Sequence, residues 1–160
     1  MTSISSISNI KRRECTHRLV EEMGYAGVRV LGYGSFSVVC EFDEGIYKLI
    51  DHPDPAYAWF VEYCKGKDSR YLPKIKGPLC FGEFTVYKLE KMVSIEYLDL
   101  EEDYTRLNKM IAFEYTRETT GCKELDGILK DLKSSQYGYD IGSENIMKRG
   151  DDLVLTDPLC

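Results

Sequence analysis

The stretch DIGSENIMKRGDDLVLTDP, from Asp140 to Pro158, decides how the rest of the chain is read. It opens as Asp140-Ile141-Gly142-Ser143-Glu144-Asn145 and runs into the apolar pair Ile146-Met147. Two short β-rich runs, Ile146 to Lys148 and Leu153 to Thr156, flank Gly150-Asp151. That composition predicts a hairpin. Asp157 stands twelve residues after Asn145, just past the second run and before Pro158. A hairpin returns its two ends to one place, so the oxygens of Asn145 and Asp157 are expected side by side. Such oxygens suit Mg2+, a hard cation that takes few protein ligands and fills its shell with phosphate and water. Asp140 would then orient a hydroxyl and accept its proton. The plainer alternative is an acidic loop followed by an ordinary Asp at a turn.

Upstream of this stretch the chain changes period twice. Leu125, Ile128, Leu129 and Leu132 follow the spacing of an amphipathic helix, and Leu100 to about Tyr115 predicts another, with Tyr104, Leu107 and Ile111 on one face. Before residue 92 the pattern is mostly strand. Val28 to Leu31, Phe36 to Phe42, Ile46 to Ile50, Pro73 to Glu83 and Phe84 to Lys91 are the candidates, with a turn at Asp43-Glu44-Gly45. Asp54-Pro55 is a helix start, an acidic N-cap followed by Pro, and the helix should reach about Lys65. A further helix is expected from Ser8 to Met23. The order to residue 91 is therefore β-β-β-α-β-β.

Two more features carry chemistry. Gly32-Tyr33-Gly34-Ser35-Phe36-Ser37-Val38 lies between two strands, which argues against a phosphate loop of strand-to-helix type. It suits a glycine-rich hairpin over nucleotide phosphates, where missing Cβ atoms let backbone N–H groups approach. By itself it reads better as the turn of a plain hairpin. Lys48, in Ile46-Tyr47-Lys48-Leu49, is either a solvent-facing strand residue or a positive charge for the α- and β-phosphates. The second role needs a carboxylate to hold the ammonium, and Glu62 is the only acid inside the following helix.

These elements in this order resemble the protein-kinase-like superfamily over roughly residues 25–160. The ending is also similar to aminoglycoside and choline phosphotransferases, and the whole looks closest to small kinase-like proteins of tailed bacteriophages. The resemblance implies an α+β, two-lobed fold: a five-stranded antiparallel N-lobe over residues 25–92 and a truncated helical C-lobe over 93–160, preceded by a tail and helix at 1–24. It implies an ATP- and Mg2+-dependent phosphotransferase, a Ser/Thr protein kinase acting on host proteins, with a catalytically inactive module that occupies a host protein as the alternative. Asp140 and Lys48 would be catalytic. Gly32, Gly34, Ser35, Phe36, Lys48, Glu62, Glu90 and Met92 would hold the nucleotide, the last two by backbone contacts to adenine, and Asn145 and Asp157 the metal. The chain departs from the family at Gly138, where a His is usual, at Gly142, where a Lys is usual, and at Pro158-Leu159 in place of Phe-Gly. The sequence as read to Cys160 also lacks the later helices that hold a peptide substrate, and a dimer that completes the lobe is a further expectation.

Bulk properties narrow the remaining classes. With 160 residues, 43% apolar and 30% charged, the chain can build one domain with a sizeable core. No apolar run is long enough to span a bilayer, and the N-terminus lacks the apolar middle of a signal peptide, so a cytoplasmic location is expected, in the host if the chain is phage-encoded. Six scattered cysteines fit buried thiols better than a disulfide framework. A net charge of -6 argues against nucleic acid as a partner. The short basic clusters, Lys11 to Arg13 and Lys148-Arg149, are expected to be solvated.

Overall fold

A computed structural model describes residues 21, 24, 27–34, 36–42, 45–95, 101–116 and 118–160. The expected helix from Ser8 to Met23, apart from Glu21, lies outside the described residues, as do Ser35 and the Asp43-Glu44 turn. The fold class is α+β; the described residues include a five-stranded antiparallel sheet and three α-helices. The described chain divides into two compact units, each discontinuous in sequence: one contains residues up to Asp54 together with Lys74–Lys91, the other Pro55–Pro73 together with Met92–Cys160.

The first unit is the five-stranded sheet. Its strands are β1 (Arg29–Tyr33), β2 (Ser37–Phe42), β3 (Gly45–Ile50), β4 (Ile75–Phe81) and β5 (Phe84–Leu89), in the order β1-β2-β3-β5-β4. Period-two alternation sends Val38, Cys40 and Phe42 of β2 inward, where they meet Val28, Tyr47, Leu49, Phe84 and Val86. Phe42 and Tyr47 stack at 4.1 Å between ring centroids. Burial in this core pushes the Cys40 thiol up to about 12. Gly77 interrupts β4 at φ 123°, and a Cβ there would come within 2.9 Å of the Val86 carbonyl oxygen, so both conformation and space demand glycine.

The second unit holds α1 (Pro55–Lys65), α2 (Glu101–Ala112), α3 (Lys123–Lys133) and a small antiparallel sheet of β6 (Val93–Ser94), β7 (Ile146–Arg149) and β8 (Asp152–Leu155), in that order. The apolar stripe of α3 is the core-facing one: Leu125, Leu129 and Leu132 are fully buried and Ile128 nearly so. Each such side chain contributes about 1.5–3 kcal/mol by leaving water. The two-residue strand β6, too short for any periodicity, exists only because Val93 and Ser94 pair with Lys148 and Met147 of β7.

Helix α1 was expected within the segment 25–92; by its contacts it groups with the second unit. The reason lies in polar and aromatic side chains of the helix and of the segment just after it. Tyr63 donates to Asp131 of α3 at 2.7 Å, Lys67 donates to the same oxygen at 2.7 Å, and Ser69 donates to Glu124 at 2.5 Å. Trp59 stacks on Tyr63 at 5.2 Å and lies 6.3 Å from the ring of Tyr137. Lys67 and Tyr63 hold the Asp131 carboxyl below its usual range by hydrogen bonding to the ionised form.

Candidate functional site

The second unit brings Asp140, Asn145 and Asp157 into one frame. The chain after Asp140 closes a 3-10 turn over Ser143–Asn145, with the Asn145 N–H bonded to the Gly142 carbonyl at 3.1 Å. Asn145 then points its amide nitrogen back at Asp140, donating to the backbone carbonyl at 2.8 Å and lying 3.4 Å from Oδ2 of the carboxylate. The Asp140 N–H donates to the Pro158 carbonyl at 2.8 Å, and Gly138 and Cys160 exchange two backbone bonds of 2.9 and 3.0 Å around the Tyr139–Leu159 bridge. The Thr156 N–H donates to the Asn145 carbonyl at 2.8 Å, one residue before Asp157. Asp140 is thus fixed through both its backbone groups while its side chain is exposed; Asn145 and Asp157 are half-buried.

Tyr139 and the Lys148-Arg149 pair complete the frame, and the sequence did not single them out for it. Tyr139 donates its phenol to the Met110 carbonyl near the end of α2 at 3.2 Å, and burial pushes that phenol up. The expectation that Lys148 and Arg149 are solvated is overturned. Neighbours on a strand point to opposite faces, and each finds its own partner. Lys148 donates at 2.8 Å to Asp103 of α2, in a pair whose side chains are only 14% and 6% exposed. Arg149 donates to the carbonyls of Arg70 at 2.7 Å, Leu72 at 3.3 Å and Ser69 at 3.5 Å. A signal was present in that both lie in a four-residue strand, where a basic residue needs a partner wherever a face is covered.

In the first unit, Lys48 sits on central strand β3, opposite Val39 of β2 and Tyr87 of β5, and is 4% exposed. The solvent-facing reading of this lysine is therefore set aside, because lysine is almost never fully buried unless paired. The glycine-rich segment is the β1–β2 hairpin. Its register shifts between Val30 and Gly32, the Gly34 N–H closes it onto the Ser37 carbonyl at 2.8 Å, and the Asp51 N–H reaches the Phe36 carbonyl at 2.9 Å. A Cβ on Gly32 would meet nothing within 4 Å, and one on Gly34 only the Ser37 hydroxyl at 3.5 Å. Neither glycine has positive φ. Local packing and backbone conformation thus do not require glycine at either position. Phe36 is 55% exposed beside the His52 ring, at 5.5 Å.

Glu62 lies on an outward face of α1, its side chain 68% exposed and bonded to Lys65 of the same helix at 2.7 Å. Glu90 exchanges two contacts with Lys74, its N–H donating to the Lys74 carbonyl at 3.2 Å and its Oε1 accepting from the Lys74 N–H at 2.8 Å. Met92, just before β6 in the chain, is half-buried. Ser35 is outside the described residues.

No protein-family model matches the chain, and no curated protein matches it. Asn145 has its amide nitrogen on Asp140, which leaves its amide oxygen to act as a ligand. With the Asp157 carboxylate this is a hard-oxygen donor set, and it fits Mg2+. Among the described residues no group of three or more His, Cys, Asp or Glu forms a metal cage. Two protein ligands suit an ion that arrives with phosphate and water in its shell.

Proposed function

We propose that the protein is an ATP- and Mg2+-dependent phosphotransferase of protein-kinase-like fold, transferring phosphate to a hydroxyl, that of a Ser or Thr in a protein. The observation that carries this reading is the Asp140–Asn145–Asp157 frame. Two loops separated in sequence are hydrogen-bonded so that one exposed carboxylate and two half-buried oxygen donors lie on adjoining turns. The strand order β1-β2-β3-β5-β4, with a helix after β3 and a buried lysine on β3, supports it from the other unit. So do two glycines that the hairpin does not itself need, since close backbone approach to phosphates would account for them.

In this function Asp140 accepts the proton of the acceptor hydroxyl. Its backbone is held from both sides, so the carboxylate is presented without reorganisation. Asn145 and Asp157 hold the metal, and Lys48 carries the positive charge that offsets phosphate. Bound Mg2+ would offset the charge that develops on the phosphoryl group passed from ATP to the hydroxyl. Asp140→Ala should abolish transfer from γ-labelled ATP while sparing nucleotide binding, because a positioned base is worth about 10²–10⁴-fold. Equal transfer by variant and wild type removes Asp140 from the chemistry. A wild type that binds Mg·ATP but transfers nothing to any protein hydroxyl replaces the enzyme with a kinase-like binding module.

A further inference from the structure

The strand that leaves the metal site is tied down on both of its faces by charged side chains. β7 begins at Ile146, directly after Asn145, and ends in Lys148 and Arg149. On one face Lys148 forms its largely buried ion pair with Asp103 of α2. On the other, the guanidinium of Arg149 gathers three backbone carbonyls, those of Ser69, Arg70 and Leu72, from the segment that follows α1. The partner strand β8 is tied to the same segment twice more: Arg70 pairs with Asp152, and the Leu155 N–H donates to the Tyr71 carbonyl at 3.0 Å. The hairpin between Asn145 and Asp157 is therefore anchored along its length to two separate elements of its own unit.

We infer that Arg149, with Lys148 on the opposite face, is a positioning residue for the Asn145 and Asp157 metal ligands. The inference rests on the phosphotransferase reading and adds to it how the ligand pair is held. Three carbonyls along one bend present a fan of acceptors that a planar five-donor guanidinium can meet together and an ammonium cannot. Without that fork the far end of the hairpin keeps its strand pairing but loses its fixed seat. The two ligand oxygens then sample a wider range of separations. Mg2+ demands near-ideal octahedral geometry, so it is the ligand most sensitive to such a spread.

The test uses the full chain with Arg149→Met, which keeps an unbranched apolar stem and removes the fork. Two quantities are measured: amide hydrogen exchange across β7 and β8, and affinity for a non-hydrolysable ATP analogue with Mn2+ as the spectroscopic probe, compared with the analogue in metal-free buffer. Protection of the Leu155 and Thr156 amides is expected to fall about 10-fold or more while that of α3 is unchanged. Affinity for the Mn2+-loaded analogue should fall about 10–100-fold, the usual cost of losing a group that orients a metal ligand, with metal-free affinity within about twofold. Should the Met variant not fold, Arg149→Lys carries the same comparison, with losses of the same sign. Unchanged protection overturns the anchoring. Lost protection with unchanged Mn2+-dependent affinity, in a wild type that binds, overturns the positioning role alone. A wild type that fails to bind the loaded analogue overturns the phosphotransferase reading and the positioning role together.

Discussion

Replacing Lys148 with Met should cost the second unit about 3–5 kcal/mol. The magnitude comes from burial. The Lys148 ammonium and Asp103 carboxylate meet at 2.8 Å with side chains 14% and 6% exposed, so both are largely out of water. Deleting one partner leaves the other as an uncompensated buried charge, which is the costly case. Replacing both, as Asp103→Leu with Lys148→Met, removes the two desolvation penalties together and should cost far less than the single change. An internal contrast is available in the first unit. Arg29 and Glu41 also meet at 2.9 Å, but the arginine side chain is 75% exposed, and Arg29→Met should cost under about 1 kcal/mol. Trp59, the only tryptophan, lies in α1 of the same unit as Lys148, so its fluorescence during urea unfolding reports the right part of the molecule. For a chain of this size the single variant should melt roughly 6–20 °C lower. A loss under about 1 kcal/mol for Lys148→Met, or a double variant less stable than either single one, would refute the reasoning.

Asp157→Ala should weaken Mg·ATP binding strongly and leave the circular dichroism spectrum unchanged, and calorimetry that finds equal affinities would remove Asp157 from the site. Gly32→Ala should be neutral or stabilising by up to about 1 kcal/mol, since the added methyl meets nothing within 4 Å and φ is not positive. The same variant should nonetheless bind ATP less well, and a variant that binds as tightly as wild type would break the link between the hairpin and phosphate. A thiol reagent at pH 8 should modify the exposed Cys80 and Cys160 in the native protein. It should leave Cys40 and Cys64, both pushed up to about 12 by burial, untouched until denaturant is added.

Much of the local structure was legible because it depends on local physics. Alternation in Ser37–Phe42, the i, i+3, i+4, i+7 apolar residues of α3, and the acidic cap and Pro at the start of α1 each reflect a periodicity or a backbone constraint within a few residues. The hairpin after Asn145 was legible for the same reason, and with it the nearness of Asn145 to Asp157. What the residues could not disclose is which face another segment covers. Lys148-Arg149 shows this most clearly. The basic pair reads as solvated, yet α2 and the segment after α1 close over it.

The sequence by itself determined the order of elements, the α+β class and the spacing that returns Asp157 to Asn145. Those follow from short-range sterics, periodicity and turn chemistry. Only the tertiary structure decided that α1 groups with the C-terminal unit and that Lys48 is buried on a central strand. It also decided that two residues as ordinary as Val93 and Ser94 form a strand. Each of these depends on pairings across tens of residues, where side-chain hydrogen bonds such as Tyr63 to Asp131, and ladder bonds such as those of β6 with β7, select one arrangement. The free energy that selects it resides in contacts between segments, and no single segment's sequence records them.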